Sequence, residues 1–147
     1  MRDALGGVVN IAIIVVFMVI VSGYLAFNVN YTKAFRVKNK IISVIENREG
    51  LDPNGIDEIY DYAKSIGYNV KIPNSFKASE RWEAETKCGF YYKQVSSDIG
   101  SDRLDKGYYE IITFVSIDIP IIKNIMPHIE FFQVKGSTKS IKNLGSN

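Results

Sequence analysis

Val8–Phe27, VVNIAIIVVFMVIVSGYLAF, decides how the rest of the chain is read. It carries no charge, and its only clearly polar side chains are Asn10, Ser22 and the hydroxyl of Tyr24. As a helix rising about 1.5 Å per residue it spans roughly 30 Å, the hydrocarbon thickness of a bilayer. Its centre, Ile11–Val21, is apolar on every side and lacks the single stripe of a surface helix. A buried core helix could share this composition, but 147 residues leave one small domain, too little protein to surround it. A cleaved secretory signal would have a shorter apolar run, about 7–15 residues, ending at a small-residue site. Tyr24–Val29 (YLAFNV) offers no such site. The expectation is an uncleaved membrane anchor within residues 1–30, with Val8, Ile11, Ile14, Val15, Phe17, Met18, Val21, Leu25 and Phe27 in contact with the lipid bilayer. Gly6, Gly7, Ser22 and Gly23 bracket it as small positions where another membrane helix could approach closely.

Working outward, Tyr31–Asn47 contains neither proline nor glycine and sets Phe35, Ile41, Ile42, Val44 and Ile45 among charged residues. That pattern predicts a helix with one apolar side, continuous with the anchor. Gly50 is the expected stop, followed by a turn at Asp52-Pro53-Asn54-Gly55. Ile56, Ile59, Tyr60, Ala63 and Ile66 are spaced for a second helix over Ile56–Ile66, capped by Gly67. Tyr68–Ile72 reads as a short strand closed by Pro73, and Asn74–Glu85 as irregular, or briefly helical around Trp82. Beyond it the pattern turns to β. Strands are expected at Lys87–Val95, Tyr108–Ile119 and about His128–Lys135. The second directs Tyr109, Ile111, Thr113, Val115, Ile117 and Ile119 to one face and the mixed set Tyr108, Glu110, Ile112, Phe114, Ser116 and Asp118 to the other. The fold class is therefore α+β: a long transmembrane helix running into an extended helix, a short helix, and an antiparallel meander over 86–135 in a domain of 31–147.

The chemistry-bearing residues are few. A net charge of +2 is too small to indicate nucleic acid. Cys88 is the single cysteine and has no histidine at recognisable spacing to activate it. His128 is the single histidine and lacks partners for metal or catalysis. Asp98, Asp102 and Asp105 share one polar loop, but their spacing does not match a calcium loop. Phosphate-binding loops, dinucleotide fingerprints and nucleophile elbows are missing. Asn30-Tyr31-Thr32 matches a glycosylation sequon but lies almost at the membrane surface. Phe90, Tyr91, Tyr92, Tyr108, Tyr109, Phe114, Phe131 and Phe132 read as sheet core and cross-strand pairs, with some left for a partner. The chain is expected to be no enzyme, with no cofactor, metal or evident small-molecule substrate.

An N-terminal membrane helix continuing into an extended helix and a compact antiparallel sheet resembles the layout of type IV pilins and pseudopilins. The last third is closer to one branch. Tyr109–Ile119, Pro120 with the apolar connector Ile121–Met126, then Ile129–Val134 and Gly136-Ser137-Thr138-Lys139-Ser140-Ile141, resembles TadE-like proteins of tight-adherence pilus systems. That resemblance implies a pilin-like, minor structural subunit of a pilus or related secretion apparatus, with other pilin-like subunits or the machine itself as partners. The glutamate that family usually carries near the start of the hydrophobic segment has no counterpart here; the nearby acid is Asp3.

Orientation divides the signals. Lys33, Arg36, Lys38 and Lys40 follow the anchor and suit a membrane surface. By the positive-inside rule they place the domain in the cytoplasm, as a partner-binding scaffold or sensor. The resemblance implies the outside. An extracytoplasmic domain is the expectation adopted, because the charge rule is strongest for short loops.

Overall fold

A computed structural model describes residues 2–69, 71–73, 76, 81–96, 106–116 and 131–142. Along the chain run α1 (Arg2–Arg48), α2 (Pro53–Ser65), β1 (Glu83–Glu85), β2 (Phe90–Ser96), β3 (Lys106–Ser116), β4 (Phe131–Ser137) and β5 (Ile141–Lys142). This is the expected α+β arrangement: a long apolar N-terminal helix, a shorter helix and a small antiparallel sheet.

α1 is one unbroken helix of 47 residues, roughly 70 Å long. Its end differs by one residue from the expected glycine stop. The left-handed residue is Glu49 (φ 56°), and the Gly50 amide donates back to the Ile45 carbonyl at 3.1 Å. α2 begins three residues before the expected start. Asp52 is not a turn residue but the N-cap: its Oδ1 accepts from the Gly55 amide at 2.9 Å, and Pro53 supplies the preset φ of the first helical position. A Cβ on Gly55 would lie 3.0 Å from Val44 Cγ1 and 2.6 Å from Asp52 Oδ1, so its lack of side chain lets α2 rest on α1.

The sheet runs in the order β1-β2-β3-β4, antiparallel throughout, with β5 also paired to β3. Tyr92, Ile111 and Gly136 lie side by side across its centre. One face receives the outer half of α1. Ala34, Val37, Ile41, Val44 and Ile45 form a buried helical stripe against Phe90, Ile111, Val115 and Val134, with Ile59 and Ala63 of α2 closing the side. Burying each large aliphatic side chain contributes about 1.5–3 kcal/mol, so this stripe is a substantial source of the domain's stability. Gly136 is where α1 comes closest. A Cβ there would meet Lys38 Cδ at 2.8 Å and Ile42 Cδ1 at 3.0 Å.

The sheet's second face is mixed, as its residue types suggest: Ile112 and Phe114 are buried, while Tyr108, Glu110 and Ser116 are half-buried. Phe76, Tyr91 and Phe131 pack edge-on or tilted around Phe114, with centroids 5.1–6.0 Å from it. The strand expected at Tyr68–Ile72 does not form at residues 68–69 or 71–73. There a side chain replaces the backbone. The Tyr109 carbonyl accepts from the Thr138 amide and its own amide donates to the Thr138 hydroxyl, so the intervening residues of β3, Phe114 among them, turn their N–H and C=O toward the β2 side. β2 begins at Phe90, opposite Thr113, leaving Phe114 without a strand partner on that side. The Tyr68 hydroxyl donates to the Phe114 carbonyl at 2.9 Å and accepts from its amide at 3.3 Å.

Two further boundaries differ. Thr86–Gly89 form a turn, so Cys88 precedes β2 instead of lying within it. Glu83–Glu85, expected to be irregular or helical, pair with Phe90–Tyr92 across that turn. At the other end, β4 and β5 share one edge of β3 across a bulge. Residues 138–140 oppose 108–109, and Thr138 fills the gap by accepting from the Tyr109 amide at 2.9 Å. Asp98, Asp102 and Asp105, the connector Ile121–Met126 with its flanking prolines, His128, and the ends of two expected strands (117–119 and 128–130) lie outside the described residues.

Candidate functional site: the anchor and its junction with the domain

The two halves of α1 have opposite surroundings. From Val8 to Leu25 every large apolar side chain exposes 39–66 % of its surface, and no part of the domain covers them. A helix this long and apolar buried inside a soluble protein would be covered; this one is bare over the stretch with the length and composition to cross a membrane. The protein has the architecture of a single-pass membrane protein with an appended domain. Val8, Ile11, Ile14, Val15, Phe17, Met18, Val21 and Leu25 lie in the bare stretch. Phe27 does not. It is half-buried, with its ring edge-on to Phe132 of β4 at 5.5 Å.

The small residues bracket the bare stretch. A Cβ on Gly6 or Gly7 would meet nothing within 4 Å. Ser22 turns its hydroxyl onto the Met18 carbonyl at 2.8 Å, which satisfies it within the helix, and Gly23 is half-buried one position on. The first pair leaves room for a neighbouring helix without assigning one.

The four basic residues after the anchor do not act as one patch. Lys33 donates to the Gly67 carbonyl at 3.3 Å, tying α1 to the end of α2. Lys38 is buried, its stem against Gly136 and its ammonium 4.1 Å over the Phe35 ring. Lys40 pairs with Glu58 of α2 at 2.7 Å. Arg36 is exposed. Arg48 joins Glu58 at 3.1 Å and Asp52 at 3.0 Å, so Glu58 collects two cations, Lys40 first and Arg48 second, which hold its carboxyl below the usual range. These bridges are exposed, so they fix the α1–α2 register and add little stability.

Two clefts are formed among the described residues of the domain. One of about 240 Å³ lies between α2 and the β1–β2 turn, lined by Tyr60, Lys64, Tyr68, Lys87 and Cys88. Lys87 is engaged there with Asp57. The Cys88 thiol is pushed up to about 11, by burial first and by Glu85 second, and its Sγ rests 3.5 Å from the Ile56 carbonyl. A thiol held protonated is a packing group, not a nucleophile. The other cleft, about 360 Å³, is lined by Trp82, Glu110, Lys135 and Ser137, with Lys93 over the Trp82 ring at 5.9 Å. Among the described residues no three His, Cys, Asp or Glu side chains gather in a way that could hold a metal ion.

No family model, curated protein or solved structure matches the chain.

The junction is where the anchor and the domain meet directly, through Phe27 and Phe132. The sequence located the anchor and its basic flank, because charge and apolarity are local properties. It did not show that β4 reaches back to the anchor's last aromatic residue. Of the eight sheet aromatics, Phe90, Tyr109 and Phe114 are buried, Tyr91, Tyr92, Tyr108 and Phe131 half-buried, and Phe132 exposed.

Proposed function

We propose that the chain is a pilin-like structural subunit, a minor one, of a tight-adherence pilus or a related secretion apparatus. The bare half of α1 holds the subunit in the membrane before assembly and packs against neighbouring helices in the assembled core. The α+β domain is carried outside and acts through its surface, without chemistry of its own. The observation that carries this reading is the double use of α1. One rigid helix is both the anchor and the central core element of the domain, so a force or position imposed on the anchor passes to the domain with no flexible linker between them. The likeness of Tyr109–Ile141 to TadE-like proteins points the same way. Deleting the protein from its own cells is expected to reduce surface filaments, adhesion or secretion, while the purified protein turns over nothing. Normal filaments, adhesion and secretion in the deletion strain would overturn the proposal.

A second reading rests on Lys33, Arg36, Lys38 and Lys40. Four cations within about 15 residues of the anchor's end favour a cytoplasmic domain by the positive-inside rule, and with it a membrane-tethered scaffold or sensor. Co-purification with cytoplasmic instead of envelope proteins would select it.

A further inference from the structure

The anchor's apolar run does not end sharply. Between Asp3 and Lys33 the chain has 29 consecutive uncharged residues, Ala4–Thr32. As a helix they extend roughly 43 Å, the thickness of a bilayer with its headgroup layers included. The domain's packing begins at Ala34, where the carbonyl accepts from Thr113 Oγ1 of β3 at 3.4 Å, one residue past the first cation. The sheet does not stop at that level. β4 runs from Val134, which is buried in the core, toward the anchor, and Phe132 meets Phe27. Phe27 lies within the uncharged run, five residues before its end. The sheet's lower corner therefore reaches a depth that the helix itself assigns to the membrane boundary.

That corner is aromatic and uncovered. Phe132 is 45 % exposed, Tyr31 44 % and Phe35 41 %. Phe27, Tyr31 and Phe35 form a row one helical turn apart, with successive centroids at 6.2 and 6.5 Å. The Tyr31 ring, apolar with a hydroxyl tip, is of the kind that anchors at the membrane–water boundary, and the phenylalanines beside it add apolar surface. Lys33 and Arg36 flank the same turn, where headgroup phosphates would lie.

We propose that the Phe132 corner of the sheet rests in the headgroup layer of the bilayer that α1 spans, with Phe132 and Tyr31 inserted at the boundary, so that the domain lies on the membrane instead of standing away from it. The proposal depends on α1 being the anchor. The occupant is lipid because the corner is continuous with the lipid-facing helix, and its rings sit where that helix leaves the hydrocarbon. One consequence concerns assembly: a subunit leaving the membrane must lift this corner out of the lipid, which exposes Phe132 to whatever neighbour replaces it.

The test uses the full chain in phosphatidylcholine–phosphatidylglycerol vesicles. Trp82 serves as the internal control, because it lies beside Gly136 and Ser137, at the far end of β4. In W82F/F132W protein, lipid brominated near the headgroup end of the acyl chain is expected to remove most of the indole emission, and iodide in the water to remove little. Wild-type protein, reporting from Trp82, should show the reverse. Y31F and W82F/Y31W repeat the measurement where F132W disturbs the corner, the first as a packing control and the second as a new reporter. Emission from both reporters quenched by iodide and untouched by brominated lipid would overturn the docking. Protection from both quenchers would also overturn it, since a second copy of the chain would then cover the corner. Flotation separates the two claims: protein that fails to float with the vesicles overturns the anchor and the docking together, whereas protein that floats with a water-exposed F132W reporter overturns the docking alone.

Discussion

Tyr68→Phe removes one oxygen atom and should cost more than most surface substitutions. The Tyr68 hydroxyl serves both the carbonyl and the amide of Phe114, at 2.9 and 3.3 Å, where β2 no longer covers β3. Both residues are buried, so neither Phe114 group has ready access to water. Leaving a buried donor or acceptor unsatisfied costs about 1–3 kcal/mol each, and the phenylalanine recovers part of that by sparing the hydroxyl its own desolvation. The expected loss is about 2–4 kcal/mol. For a domain of this size that is roughly 10–25 °C in Tm. Urea titration of the full chain in detergent micelles, followed by Trp82 fluorescence, would read it. Tyr60→Phe, on an exposed ring, should stay within about 0.5 kcal/mol of wild type. The pH dependence supplies a second check. Burial pushes the Tyr68 phenol up to about 12. Its folded pKa thus lies above its unfolded value near 10, so its contribution is complete below pH 10 and lost as the pH rises through about 12. Wild type should lose stability more steeply than Tyr68→Phe across that window. A Tyr68→Phe protein within about 0.5 kcal/mol of wild type would refute the idea that this hydroxyl stands in for a strand.

Three further outcomes follow from the geometry. Asp52→Ala removes the cap on the Gly55 amide and an Arg48 partner, and should lower stability by about 1 kcal/mol in the same urea assay. Cys88, buried and held protonated, should react with a thiol reagent at neutral pH far more slowly in the folded protein than in urea; equal rates would contradict its placement beneath α2. Replacing Ile14 and Met18 together by arginine puts two charges in the bare half of α1 at about 2.5–3.5 kcal/mol each, and should move the protein out of the membrane fraction on cell fractionation.

How much of this was legible in the sequence depended on whether the signal was local. The anchor and the long helix follow from composition and spacing over dozens of residues, so Val8–Asn47 was readable as one element. The set read as sharing one face of the strand followed from the period of two; its described members Tyr109, Ile111, Thr113 and Val115 are all buried, and Ile117 and Ile119 lie outside the described residues. The failures come from contacts between distant segments. Tyr68–Ile72 alternates like a strand, but the contact its first residue makes with the sheet is a phenol hydroxyl bonded to a residue 46 positions away. Glu83-Ala84-Glu85 has poor strand propensity and is held by pairing across the Thr86–Gly89 turn. Asp52-Pro53 carries turn chemistry and capping chemistry alike, and only the packing of α2 on α1 selects the cap. At the junction, the basic flank was visible as charge, but the burial of Lys38 under the sheet depends on the side-chain-free surface at Gly136. Phe132 is 105 residues from Phe27 in sequence, and no local pattern connects them.

In the proposed function α1 crosses the membrane once and carries the domain outside, and topology tests that most directly. A cysteine placed after Asn147 in a Cys88→Ser background is treated with a membrane-impermeant maleimide in intact cells, with lysed cells as the control. Labelling of intact cells is the predicted result. Labelling only after lysis would put the domain in the cytoplasm, contradict the pilin-like proposal and leave a tethered binding domain whose orientation the basic flank had indicated.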